Sequence, residues 1–198
     1  MDHASDAVNL PSGAIYIREF LSRQEEGAIE DRLDAGEWSN TLKRRVQHFG
    51  YLYDYRARAV NADAYLGKLP EWLETLAERL VTRGYAVDFP DQVIANEYLP
   101  GQGISAHIDC APCFDDTIIS ISLLSQCEMV FRERSGSRSL AVVLHPRSGI
   151  VLKGASRYDW THEIPARKSD VVDGTKVDRR RRISLTFRKV IQTTGKPL

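Results

Sequence analysis

At 198 residues, 42% hydrophobic and 27% charged, the chain is long enough to bury a substantial core without staples and is read as a single domain over residues 1–198. Its 27 basic and 27 acidic residues cancel, which removes the simplest compositional argument for a nucleic-acid partner, a strongly basic balance. No window is apolar for long enough to span a bilayer. The stretch Met1-Asp2-His3-Ala4-Ser5-Asp6 has neither the basic head nor the apolar run of a secretory signal, so a cytoplasmic protein with no membrane partner is expected. Cys110, Cys113 and Cys127 are too few and odd in number for a disulfide framework, which fits a reducing compartment.

Residues from Ile15 to Leu21 alternate as a short strand does. Ser22 and Glu25 then form a capping-box pattern, and a helix follows through about Leu33 with Ile29 and Leu33 on its buried face. From Trp38 to Val60 no helical period survives; the segment is dense in aromatics and arginines and reads as irregular strands or hairpins. Pro70 opens a second helix in which Trp72, Leu73, Leu76 and Leu80 recur at helical spacing, with Gly84 at the C-terminal left-handed position. Short apolar runs separated by turn residues come next: 93–99, 117–124, 128–132, 139–144, 150–152, 160–164 and 183–190. The polar stretch 169–181 between the last two reads as a surface loop, and the arginine run Arg179 to Arg182 as solvated charge. Helices first and strands afterwards give an α+β chain with helices packed on a β-sandwich or jelly roll.

Chemistry concentrates in that β-rich half. His107 and Asp109, two apart in an extended segment, point to one side. With His162 from a distant strand they make a two-histidine, one-carboxylate set that leaves three metal positions open, as non-haem Fe(II) oxygenases require. Asn96 and Tyr98 share one face of the preceding strand and offer an amide and a phenol; taken without the rest, they would be an ordinary edge-strand pair. A downstream arginine suits the distal carboxylate of an oxo-acid. Arg182 and Arg188 are six residues apart, about 20 Å of strand, which argues against both gripping one carboxylate.

The segments Asn96 to Asp109, Ser156 to His162 and Arg182 to Arg188 closely resemble the AlkB family of Fe(II)/2-oxoglutarate dioxygenases acting on nucleic acids, over roughly residues 44–190. The sequence around Gly50-Tyr51 and Pro100-Gly101-Gln102-Gly103-Ile104 is most similar to the branch holding the oxygenase part of tRNA wobble-uridine modifiers. The resemblance implies a double-stranded β-helix, or jelly roll, over about 93–190, with N-terminal helices on one sheet. It implies His107, Asp109 and His162 as iron ligands and Asn96 and Tyr98 at 2-oxoglutarate. Arg182 would hold the distal carboxylate and Arg188 would lie nearer Asp109. With O2, the implied reaction is oxidative dealkylation of N-alkylated bases in DNA or RNA, releasing succinate, CO2 and an aldehyde. Hydroxylation of a modified tRNA uridine is the alternative, and a protein or small-molecule hydroxylase the more distant one.

In such a family residues 38–60 correspond to a nucleotide-recognition lid, and the protein is expected to act as a monomer on single-stranded DNA or RNA, possibly tRNA. Arg44, Arg45, Tyr51, Tyr53 and Tyr55 have the interleaving of a stacking and phosphate-contacting surface. Tyrosines spaced by two equally describe one half-buried strand face. Arg157 and Trp160 either line the pocket or support His162. Cys110 and Cys113 lack the further ligands that zinc needs and read as incidental rim cysteines, an oxidation-sensitive pair being the other possibility.

Overall fold

Alternation along one strand sets the layers of this molecule. In the computed structural model, which describes residues 9–61 and 63–191, Ile183, Leu185 and Phe187 enter one core while Arg182, Ser184, Thr186 and Arg188 line a cavity on the opposite face. The stretch Met1 to Asp6 lies outside the described residues.

The chain begins with β1 (Ile15–Ile17), α1 (Arg23–Ala35), β2 (Arg45–Phe49), α2 (Glu71–Thr82) and β3 (Gln92–Tyr98). It continues through β4 (Ile104–His107), β5 (Phe114–Leu123), β6 (Cys127–Glu133), β7 (Ser139–Leu144) and β8 (Gly149–Leu152). The final elements are α3 (Ala155–Tyr158), β9 (Trp160–Ile164), β10 (Ser169–Val172), β11 (Thr175–Asp178) and β12 (Arg182–Val190). A six-stranded sheet runs β1-β8-β5-β12-β3-β2 and a four-stranded sheet β4-β9-β6-β7. Among the described residues every pairing between these strands is antiparallel.

Helices α1 and α2 cover one face of the larger sheet. Ile29 and Leu33 from α1 and Leu73, Leu76 and Leu80 from α2 pack with Val93, Ala95, Ile119, Ile121, Leu185 and Phe187. The capping box forms as the sequence predicts: Ser22 Oγ accepts from the Glu25 amide and the Glu25 carboxylate accepts from the Ser22 amide. A second core, including Ile118, Phe131, Leu144, Leu152 and Trp160, lies between the sheets. The architecture is thus the expected jelly-roll core with N-terminal helices on one sheet.

Two sequence expectations need correction. Residues 169–181 are not a plain surface loop, because β10 and β11 pair as a hairpin. Beside it Arg179 grips the buried Asp170 carboxylate through Nε and Nη2, both at 2.7 Å. Nor is the arginine run solvated charge: Arg181 reaches Glu97, Glu30 and Asp34 and ties β12 to β3 and α1, while Arg182 is buried. Of these four arginines Arg180 alone is exposed.

Candidate active site

The β4–β9 register sets His107 directly opposite His162, and Asp109 follows just beyond the end of β4. That close approach needs Gly103, where a Cβ would stand 2.1 Å from the Ile164 carbonyl oxygen. One ligand atom from each of His107, Asp109 and His162 falls within 4.8 Å of the others, a spacing that fits a metal ion. His107 Nδ1 donates to the Ser105 carbonyl at 2.7 Å, which leaves its Nε2 lone pair for coordination. Burial, then the neighbouring His107, pulls His162 down to about 4, so its imidazole is neutral and ligand-ready at pH 7. Burial, the largest single influence, would raise the Asp109 carboxyl, but Arg188 and the other neighbouring basic groups, His162, His107 and Arg157, together outweigh it and hold the carboxyl well below its usual range. Arg188 Nη2 donates to Asp109 Oδ1 at 2.5 Å. The neutral His162 imidazole, the free Nε2 of His107 and the ionised Asp109 carboxylate suit Fe(II).

These side chains sit in a cavity of about 290 Å³ between the sheets, and Arg182 lines it too. Arg182 Nη2 donates to Ser122 Oγ at 2.7 Å, and its guanidinium stacks 5.3 Å from the Tyr98 ring. Arg182 Nε and Nη1 and Arg188 Nε are buried with no hydrogen-bond partner among the described residues. Buried donors of that kind call for an anionic acceptor, and a short oxo-dicarboxylate would satisfy them. Asn96 and Tyr98 line the same space, and burial pushes the Tyr98 phenol up, so it remains a neutral donor.

The preceding segment closes over the cavity. After β2 the chain turns at Gly50, whose φ of 78° and contact with the Asp91 carbonyl exclude a Cβ. Arg44, Tyr53, Tyr55 and Arg58 then line the cavity. Arg44 Nε donates to Asn96 Oδ1 at 2.9 Å, and its guanidinium lies 5.9 Å from both the Tyr55 and Tyr98 rings. Tyr53 stacks edge-on to Tyr55 at 5.1 Å and tilts against Phe114 at 5.8 Å.

Not every candidate converges there. Arg45 pairs with Glu97 and stacks over Trp38, outside the cavity. Tyr51 lines a different cavity, so the three tyrosines are not one strand face. Trp160 is buried in the inter-sheet core beneath Arg138. Arg157, from α3, is buried and donates through Nη1 to the Asp109 carbonyl at 2.8 Å and through Nη2 to the Cys110 carbonyl at 3.3 Å. Cys110 and Cys113, read as incidental, are joined as a disulfide, with their sulfurs 3.2 and 3.4 Å from the Arg58 carbonyl oxygen. Arg58 and Phe114 also line the cavity, and neither is among the residues the sequence singles out; Phe114 opens β5 earlier than its apolar run announced.

A family model described as the 2OG-Fe(II) oxygenase superfamily matches residues 13–188. The chain is 39% identical over 208 residues to the tRNA (carboxymethyluridine(34)-5-O)-methyltransferase ALKBH8 of Macaca fascicularis, covering 93% of this chain and 31% of that protein. It is 39% identical over 207 residues to the Alkylated DNA repair protein ALKBH8 homolog of Arabidopsis thaliana, covering 92% of this chain and 59% of that one. The chain thus spans less than two thirds of the length of these relatives. Among solved structures, "The structure of OsALKBH1" superposes with a TM-score of 0.71 over 91% of this chain and 98% of that chain. At 17% identity that likeness is one of fold.

Proposed function

Because this chain belongs to the 2OG-Fe(II) oxygenase superfamily, among relatives of the AlkB family, we propose that it oxidises a base presented in single-stranded nucleic acid, a modified wobble uridine of tRNA first among them. The protein is an Fe(II)/2-oxoglutarate-dependent dioxygenase. Fe(II), 2-oxoglutarate and O2 together supply C–H oxidation coupled to release of succinate and CO2.

The residues divide that work by position. His107, Asp109 and His162, which line the cavity, would hold the metal. Arg182 holds the distal carboxylate of the co-substrate, with Asn96 and Tyr98 donating beside it. Arg188 keeps Asp109 ionised and aimed. Residues 38–60 act as the recognition lid over the 93–190 core, Tyr53 and Tyr55 supplying ring faces and Arg44 and Arg58 cations. The observation that carries the reading is the sharing of one cavity by the lid aromatics, the paired arginines and the metal set. Oxidative dealkylation of an alkylated base is the second reading, favoured by the repair name of the Arabidopsis relative and served by the same residues.

Nucleoside mass spectrometry decides between them. The protein is incubated with Fe(II), 2-oxoglutarate, ascorbate, bulk tRNA and methylated oligonucleotides, with His107→Ala as control. Gain of one oxygen on a modified uridine is the expected result. Loss of a methyl mass from 1-methyladenine or 3-methylcytosine would transfer the assignment to the dealkylases. Succinate formation with no change in any nucleoside would remove nucleic acid as the substrate.

A further inference from the structure

A second cavity, of about 740 Å³, lies on the other side of the lid, lined by Tyr51, Val60, Asn61, Tyr65, Lys68 and Phe89 among others. No step in the chemistry above uses it. Its walls continue from those of the first. Tyr53 and Tyr55 face the metal cavity, whereas Tyr51 faces this one, and two residues of chain separate Tyr51 from Tyr53 by at most about 7 Å. Along β12, Arg188 lines the first cavity and Val190 the second. The two cavities therefore border on neighbouring residues of the same two segments, and a strand of nucleic acid that delivers one base to the metal lies beside residues that lead to the second.

The lining matches a base better than a phosphate or an aliphatic chain. Tyr65 is 54% exposed and Phe89 40%, far more open than the aromatics of either core. Tyr51 and Tyr65 sit 5.1 Å apart, tilted by 51°, so two rings already converge on one wall. Asp91 and Glu74 line the space and oppose an anion there; the Asp91 carboxylate is engaged by Lys189 Nζ at 2.7 Å and the Val190 amide at 2.8 Å. The exposed Lys68 stands at the rim, suited to the backbone of the same strand rather than to the occupant.

We propose that this second cavity is a stacking subsite for the nucleobase adjoining the one presented to the metal. The subsite rests on the nucleic-acid reading given above, and its test separates the two. The probe is a short RNA hairpin mimicking an anticodon arm, fluorescently labelled, together with a set in which each loop base in turn is replaced by an abasic residue. Binding is measured by anisotropy with Mn(II) and 2-oxoglutarate present, for the unaltered protein, Tyr65→Ala and Tyr65→Phe.

The unaltered protein should lose affinity about 5- to 100-fold at two adjacent abasic positions, the range of a lost base–aromatic stack. Tyr65→Ala should abolish the penalty at one of those positions and retain it at the other, and Tyr65→Phe should restore both. Equal penalties in the unaltered protein and Tyr65→Ala would overturn the subsite while leaving the nucleic-acid reading intact. Failure of the unaltered protein to bind any hairpin, even at low salt, would sink that reading and the subsite with it.

Discussion

Arg157 reaches the metal set through its main chain: it donates to the Asp109 carbonyl at 2.8 Å from a side chain only 2% exposed. A guanidinium so deeply placed is costly, and burial pulls its pKa down. What it does is fork across two successive carbonyls, Asp109 and Cys110, fixing the backbone that aims the carboxylate. Arg157→Met keeps the bulk and removes the fork. Mn(II) affinity measured by titration calorimetry should fall about 10- to 100-fold, as for other supports of metal ligands, with far-ultraviolet circular dichroism unchanged. Arg157→Lys, a point donor, should recover little of it. Unaltered Mn(II) binding in Arg157→Met would reduce this residue to core filler.

Arg182 and the metal set should separate kinetically. Arg182→Met should raise the KM for 2-oxoglutarate about 10- to 100-fold, the weight of a charge-assisted pair, and leave Mn(II) affinity within experimental error. A fall in metal affinity with KM unchanged would place the co-substrate elsewhere.

Acid should destabilise the metal-free protein earlier than carboxylates alone would. Burial, then Arg188, brings His48 down to about 4, whereas the unfolded chain titrates near 6.5. The unfolded state therefore binds more protons below that value, so the stability due to neutral His48 is complete above pH 6.5 and erodes as pH falls toward 4. His162 acts in the same direction, and Glu25, brought down to about 2, contributes only below about 4.5. Thermal melts in chelator should show Tm falling between pH 6.5 and 4.5, with a shallower slope in His48→Asn. Parallel slopes for the two proteins would discount His48.

The Asp170–Arg179 pair should behave as a buried ion pair. Asp170→Ala strands a guanidinium that is 6% exposed and should cost about 3–5 kcal/mol, a Tm loss on the order of 10 °C. Asp170→Leu with Arg179→Met should recover much of that in the same melting experiment. A double variant no better than the single one would mean that the hairpin needs the charges themselves.

How far the sequence carries follows from these residues. Short apolar runs between turn residues revealed β12 and β3, and the capping-box pattern placed the start of α1, because both signals are written in neighbouring positions. The metal set was legible for the same reason: His107 and Asp109 are two apart, and a distant His162 completes them. The β10–β11 hairpin was hidden because the buried group beside it is an ion pair, invisible to any apolar period. Tyr51, Tyr53 and Tyr55 looked like one strand face, but the chain from Gly50 onward is irregular and sends them to two cavities. The two roles of the arginines, inward donor for Arg182 and tie to Glu97 for Arg181, depend on partners more than eighty residues away or on another strand.

Strand β12 is paired on both sides, to β3 over Arg182–Arg188 and to β5 over Ile183–Val190, so neither edge is free to slide. The anchor proposed for the far carboxylate and the arginine that sets Asp109 are therefore carried on one inextensible bar, six residues apart. Such a bar measures length. On that proposed assignment, an oxo-diacid of another length would meet two arginines whose spacing the doubly paired strand holds fixed. The sheet itself, rather than any one side chain, would then act as the gauge for co-substrate size.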